Sequence, residues 1–173
     1  LTDLLALESV KLISKHLLDT VKEPGNTYLR AKIASACMDV GMAFSNAGLG
    51  IVHAMAHSLG GLMDTAHGQA NAILLKHAVS YNFPTAGERY CMLGEAMGLN
   101  LSGLTLTQSE IAIINELTRM QESLGIKTKL EEINIRKSDI SELSGRALDD
   151  PDIATNPREP NLKDIEEIYL AAF

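Results

Sequence analysis

Three of the five histidines fall within fifteen residues: His53, His57 and His67. On a helix, positions i and i+4 share a face, so His53 and His57 point the same way. Gly60 and Gly61 can end that helix and turn the chain, which lets His67, at the start of the next helix, face the same space. Neutral imidazoles suit divalent iron, zinc, nickel or copper, and an apolar segment gives them a dry pocket. Asp64 is placed to orient one ring as an acceptor. An i,i+4 histidine pair serves ordinary packing equally well. The third histidine, in a nearly uncharged stretch, is what points to a metal, and spacing alone leaves all three rings equal candidates. His16, among Lys15, Asp19 and Lys22, reads as solvated. His77 reads as packed or exposed, and Met38, Met42, Met55 and Met63 read as core filler.

The elements that must carry these rings are helical. Apolar residues recur at helical spacing from Leu4 to Val21, and Pro24-Gly25 then breaks the pattern. A second helix capped by Thr27 carries Leu29, Ile33, Ala36 and Val40. Residues 43–63 are almost uncharged, but their histidines, Asn46 and four glycines suit a buried core helix better than a membrane span. A helix from His67 runs to about Tyr81 and ends at Pro84, and another spans about Glu88 to Met97, closed by Gly98. Thr107 and Glu110 have capping-box spacing at the start of a helix that Gly125 terminates. Ser138 caps a short helix to about Leu148. Asp150-Pro151 and residues 156–160 read as loop, and Asn161 caps a last helix to about Ala172. No run alternates with period two. The expected class is all-α.

Composition narrows the function. Of 173 residues, 46% are hydrophobic and 21% charged, enough apolar material for a full core. A net charge of −7 argues against a nucleic-acid or anionic-membrane surface. Aromatics at 4% favour tightly packed helices over a β-sandwich. Two cysteines, Cys37 and Cys91, offer no disulfide framework or zinc ribbon, so a reducing cytoplasm is the simplest setting. Gly48-Leu49-Gly50 starts like a dinucleotide fingerprint, but His53 replaces its third glycine and no strand precedes it. The chain starts at Leu1 inside a helical pattern, with no Met and no signal sequence, which suggests part of a longer protein.

Residues 48–72 (GLGIVHAMAHSLGGLMDTAHGQANA) closely resemble the long motif of the iron-containing (group III) alcohol dehydrogenases. Residues 2–8 (TDLLALE) are similar to the family's helix preceding the motif region. Residues 41–46 (GMAFSN) resemble its approach to the motif, and residues 155–158 (TNPR) its C-terminal loop. The resemblance implies a helical metal-binding domain over residues 1–173. It implies that His53 and His67 are metal ligands, and that His57 lies in the catalytic cleft near the nicotinamide without being a ligand. This separates three rings that spacing had left equal. The family's other two ligands, an Asp and a His, lie upstream of the residues matching Leu1, as does its NAD(P)-binding domain. Ala66 stands where Pro is common, and Asp152 where some members have Cys.

The function so implied is the C-terminal part of an iron-dependent, NAD(P)-linked enzyme interconverting short alcohols or diols and aldehydes. Its cofactors are Fe²⁺, with Zn²⁺ as an alternative, and NAD or NADP. No nucleic-acid or membrane partner is expected, and an apolar face bared on this half would favour a homo-oligomer. The chain alone should be inactive. The competing reading is a stand-alone helical metal-binding or scaffolding module without redox activity, and an upstream Asp-x-x-x-His with a glycine-rich strand–loop–helix would separate the two.

Overall fold

Apolar residues at helical spacing form helices throughout. The computed structural model describes residues 1–173 and contains no strand. Seven helices follow in order: α1 (Thr2–Lys22), α2 (Thr27–Ala47), α3 (Ile51–Met63), α4 (His67–Ala96), α5 (Leu106–Ser123), α6 (Ile140–Leu148) and α7 (Leu162–Ala171). Short 3₁₀ segments occupy Leu130–Ile133, Lys137–Asp139 and Pro151–Thr155. No helix is long and apolar enough to cross a membrane. The chain divides into two units, residues 1–48 with 87–116, and residues 49–86 with 117–173.

In the first unit α1 packs against α2 as a hairpin. The buried Ser9 hydroxyl lies 3.0 Å from the Ala36 carbonyl and 2.8 Å from that of Leu5, so two small residues bring the helices close. Asn26, rather than Thr27, caps α2 by accepting from Leu29 N–H at 3.2 Å. Thr105 and Gln108, two residues before the expected pair, form the reciprocal cap of α5. Gln108 Oε1 accepts from Thr105 N–H at 2.9 Å, and Thr105 Oγ1 accepts from Gln108 N–H at 3.3 Å. Both T-x-x-Q and T-x-x-E satisfy the same pattern, and the chain uses the earlier one.

The second unit builds its core from Ile51, Met55, Leu59, Ile73, Leu74, Leu130, Leu143, Ile165 and Tyr169. Helix α3 packs on α6, and α6 on α7. Two buried hydroxyls tie the elements together: Tyr169 donates to Met55 O at 2.8 Å, and Ser58 to Leu143 O at 2.8 Å. Burial pushes the Tyr169 phenol well above its ordinary range. That shift holds it as a neutral donor across the physiological range.

The nearly uncharged stretch is two helices rather than one. α2 ends at Ala47, Gly48 takes a left-handed φ of 77°, and α3 restarts at Ile51. α3 runs past Gly60 and Gly61 to Met63 and is terminated by Asp64 at φ 53°, whose N–H bonds to Gly60 O. The break expected at Pro84 is a kink within α4, at Ala86 (φ −125°, ψ 22°). Gly98 and Gly125 end their helices at φ 97° and 65°, as expected. Asn161 caps α7 through a reciprocal box with Asp164. Asp139, not Ser138, serves the approach to α6, accepting from Arg136 N–H at 3.0 Å.

His77, in the first half of α4, is partly buried. Burial, with the Lys76 cation adding to it, pushes its imidazolium down to about 4. The folded value lies below the unfolded value near 6.5, so the unfolded chain takes up this proton first. Stability from this ring is intact above pH 7 and falls as pH drops from about 6.5 toward 4. For a partly exposed ring the effect is on the order of 1 kcal/mol. Urea midpoints at pH 7.5 and pH 5 check it: His77→Gln narrows the difference between them, and an unchanged difference contradicts the assignment.

Candidate metal and catalytic centre

Helix α3 buries Ile51, Ala54, Met55, Ser58 and Leu59. His53 and His57 therefore sit one turn apart on its less buried flank. The three-residue link Asp64–Ala66 brings His67, first residue of α4, against them. Ring centroids are 6.1 Å apart for His53–His57, 5.5 Å for His53–His67 and 5.4 Å for His57–His67. All three histidines singled out by spacing are thus in one cluster, and Asn71, one turn after His67, joins it. The Asn71 amide donates to His67 O at 3.0 Å and lies 3.1 Å from His67 Nε2, while its buried Oδ1 has no hydrogen-bond partner.

The structure separates His57 from the other two. Its Nδ1 lies 3.0 Å from Asp150 Oδ2 and 3.7 Å from Asp152 Oδ2. Its ring stacks on His67 at an interplanar angle of 23°, a poor arrangement for aiming two nitrogens at one ion. His53 and His67 are tilted by 48°. Two imidazoles on one tetrahedral ion, with metal–nitrogen bonds near 2.1 Å, place their centroids about 5 Å apart. The 5.5 Å observed for His53 and His67 fits this donor set. Burial is the main force lowering the His53 pKa; His67 and His57 add to it, and Asp152 and Asp150 oppose it. The net effect favours the neutral ring, the form that offers a lone pair to a metal.

Sequence reasoning missed the carboxylates. Asp64, expected to orient a ring, is the left-handed cap of α3. The acids that face the cluster are Asp150, 93 positions from His57, and Asp152. They sit on a 3₁₀ turn where a loop was expected. Asp150 Oδ1 accepts from Asp152 N–H at 2.9 Å, which leaves its Oδ2 for His57. No local pattern announces a pairing at that separation.

Asn156 fixes this loop to α3. Its Oδ1 accepts from Ile51 N–H at 3.1 Å and from Asn82 Nδ2 at 3.0 Å. Its Nδ2 donates to Asn82 Oδ1 at 2.8 Å and to Arg158 O at 2.6 Å. Thr155 adds a bond to Leu49 O at 2.9 Å. The Arg158 guanidinium lies 4.1 Å over the Tyr81 ring and bonds Tyr81 O at 3.1 Å. Gly50 permits the approach, since a Cβ there would meet Asn156 Oδ1 at 3.0 Å. Asn156→Ala leaves the α3 N–H and the Asn82 amide without their partner and costs about 2–3 kcal/mol. Chemical denaturation measures the loss, and the His57 ring signals in NMR should broaden or shift as Asp150 and Asp152 lose their fixed position. Unchanged stability together with unchanged His57 signals contradicts the anchoring role.

The description "Fe-containing alcohol dehydrogenase family, C-terminal" belongs to the family model that matches residues 1–173. The chain is 38% identical over 172 residues to 1,3-propanediol dehydrogenase of Citrobacter freundii, covering 99% of this chain and 44% of that protein. It is 38% identical over 173 residues to lactaldehyde reductase of Escherichia coli (strain K12), covering all of this chain and 45% of the relative. A crystal structure of 1,3-propanediol oxidoreductase superimposes with a TM-score of 0.97 at 38% identity, over 99% of this chain and 45% of that one. The chain thus spans a little under half the length of these relatives. With the match running from its first residue to its last, the chain belongs to the iron-containing alcohol dehydrogenase family and corresponds to its C-terminal domain.

Proposed function

We propose that this domain supplies the metal-holding and proton-handling side chains of an iron-dependent, NAD(P)-linked oxidoreductase acting on short alcohols or diols and the corresponding aldehydes. The observation that carries the reading is the convergence of His53 and His67 at ligand spacing beside a third imidazole held by a carboxylate. Family membership and the diol and aldehyde named in the relatives' descriptions support the substrate class.

His53 and His67 are the residues that would hold the ion, Fe²⁺ or alternatively Zn²⁺. The unpartnered Asn71 Oδ1 marks polar capacity left open beside them. A divalent ion there supplies Lewis acidity toward an alcohol oxygen, and a nicotinamide supplies the hydride acceptor. His57 plays a different part. Asp150 engages its Nδ1, which fixes the ring's orientation and leaves Nε2 as the nitrogen that can exchange a proton. Oxidation of an alcohol releases one proton, and His57 Nε2 is the base placed to take it. Asp150 and Asp152 stabilise the imidazolium that results. In aldehyde reduction the same ring returns the proton. By its resemblance to the family, His57 is also the residue that would face the nicotinamide.

The exposed apolar residues Leu4, Tyr28, Met38 and Phe44 on α1 and α2 support self-association as the means of covering apolar area. A reducing cytoplasm suits the free thiols of Cys37 and Cys91.

Replacement of each ring separates the roles. In the whole protein, His53→Ala and His67→Ala each abolish bound iron and lower NAD(P)-linked turnover of 1,3-propanediol or lactaldehyde by roughly 10³-fold or more. His57→Ala keeps the iron and lowers turnover by about 10²- to 10³-fold. Metal analysis by mass spectrometry alongside steady-state rates reads both. Full iron content in the His53 or His67 variant contradicts the ligand assignment, and the 173-residue chain alone should show no turnover.

A further inference from the structure

His57, Asp150 and Asp152 present a donor set that shares no residue with the His53–His67 pair. Their ligand atoms all lie within 4.8 Å of one another. The 3.0 Å and 3.7 Å distances from His57 Nδ1 to the two carboxylates bracket the edge of a tetrahedron with 2.0–2.1 Å bonds, about 3.3 Å. Only one of these contacts is a hydrogen bond, because 3.7 Å is too long for one. Asp152 is therefore turned toward a nitrogen that Asp150 already occupies. Ring orientation needs only Asp150; the second carboxylate adds negative charge at the same nitrogen, and a cation seated between the three groups would use all three donors.

The set is also pre-positioned. Asp150 Oδ1 is held by Asp152 N–H, and the turn that carries both acids is bound to α3 through Thr155 and Asn156. The His57 side chain is 42% exposed, against 16% for Asp150 and 26% for Asp152, so an ion has an open side to enter from. Two carboxylates and a neutral imidazole balance a 2+ charge. One nitrogen and two oxygens suit borderline cations such as Zn²⁺, Mn²⁺ or Co²⁺.

We propose that His57 Nδ1, Asp150 and Asp152 form a second divalent-cation site, separate from the His53–His67 pair. The ion takes the place of the proton between His57 Nδ1 and Asp150, and that proton moves to Nε2 so that the ring stays neutral; the loaded site and proton uptake by His57 Nε2 therefore exclude one another. The inference rests on local geometry and stands whether or not His53 and His67 hold iron.

The test is Zn²⁺ binding to the metal-stripped 173-residue chain, followed by calorimetry, with Co²⁺ absorption as a second readout. The expected result is that His53→Ala/His67→Ala retains one Zn²⁺ with affinity within about threefold of the unaltered chain. Asp152→Asn weakens that site at least about tenfold, and Asp150→Asn/Asp152→Asn abolishes it. Circular dichroism checks that each variant is folded. Because a variant can fail that check, the unaltered chain supplies an independent readout, the displacement of the His57 Nδ1 resonance on adding Zn²⁺. Loss of all Zn²⁺ binding in folded His53→Ala/His67→Ala overturns the proposal, as does unchanged affinity in folded Asp152→Asn. A His57 Nδ1 resonance that Zn²⁺ does not move overturns it too.

Discussion

The side-chain amide of Asn156 holds the second unit's site together, because it ends three separate segments at once. Its oxygen takes the first N–H of α3, a group every helix leaves without an internal partner. The same oxygen and the amide nitrogen pair with Asn82 on α4, and the nitrogen also reaches the Arg158 carbonyl. The helix that carries His53 and His57, the helix that begins at His67, and the turn that carries Asp150 and Asp152 are thereby fixed to one group. A partly buried amide with four bonds satisfied gains from the low local dielectric, and the same dielectric makes a partial loss expensive. Gly50 follows from this constraint, since a side chain there would press on the amide oxygen.

Charge follows from the same frame. Burial disfavours protonation of His53, and the neighbouring His67 and His57 rings add to it. Asp152 and Asp150 oppose that tendency at His53, and both carboxylates face the His57 ring. The contacts divide the cluster: one ring is held against two carboxylates, and the other two are not. Chemically equivalent side chains thus acquire different surroundings from their neighbours alone.

Helical periodicity made the all-α class and most helix positions legible, and the i,i+4 spacing with His67 located the cluster. Helix ends were less legible, because Thr105 and Thr107 offer the same capping pattern and Gly60 and Gly61 are tolerated inside α3. The distinction among the three rings could not come from spacing. It depends on Asp150 and Asp152, whose approach to His57 is created by tertiary bonds through Asn156 rather than by anything local. Asp64 looked suitable because it is near in sequence, yet its backbone is committed to a left-handed cap. Resemblance to the family named His53 and His67 as ligands, and the ring geometry agrees with that pairing without requiring it.

The central claim is that His53 and His67 share one ion. Anomalous diffraction at the iron edge, from crystals of the iron-loaded whole protein, tests it most directly. The account predicts a peak about 2.1 Å from one nitrogen of each of these two rings, with no ligand bond from His57 to that ion. Iron density that lacks either His53 or His67 within bonding distance would contradict it.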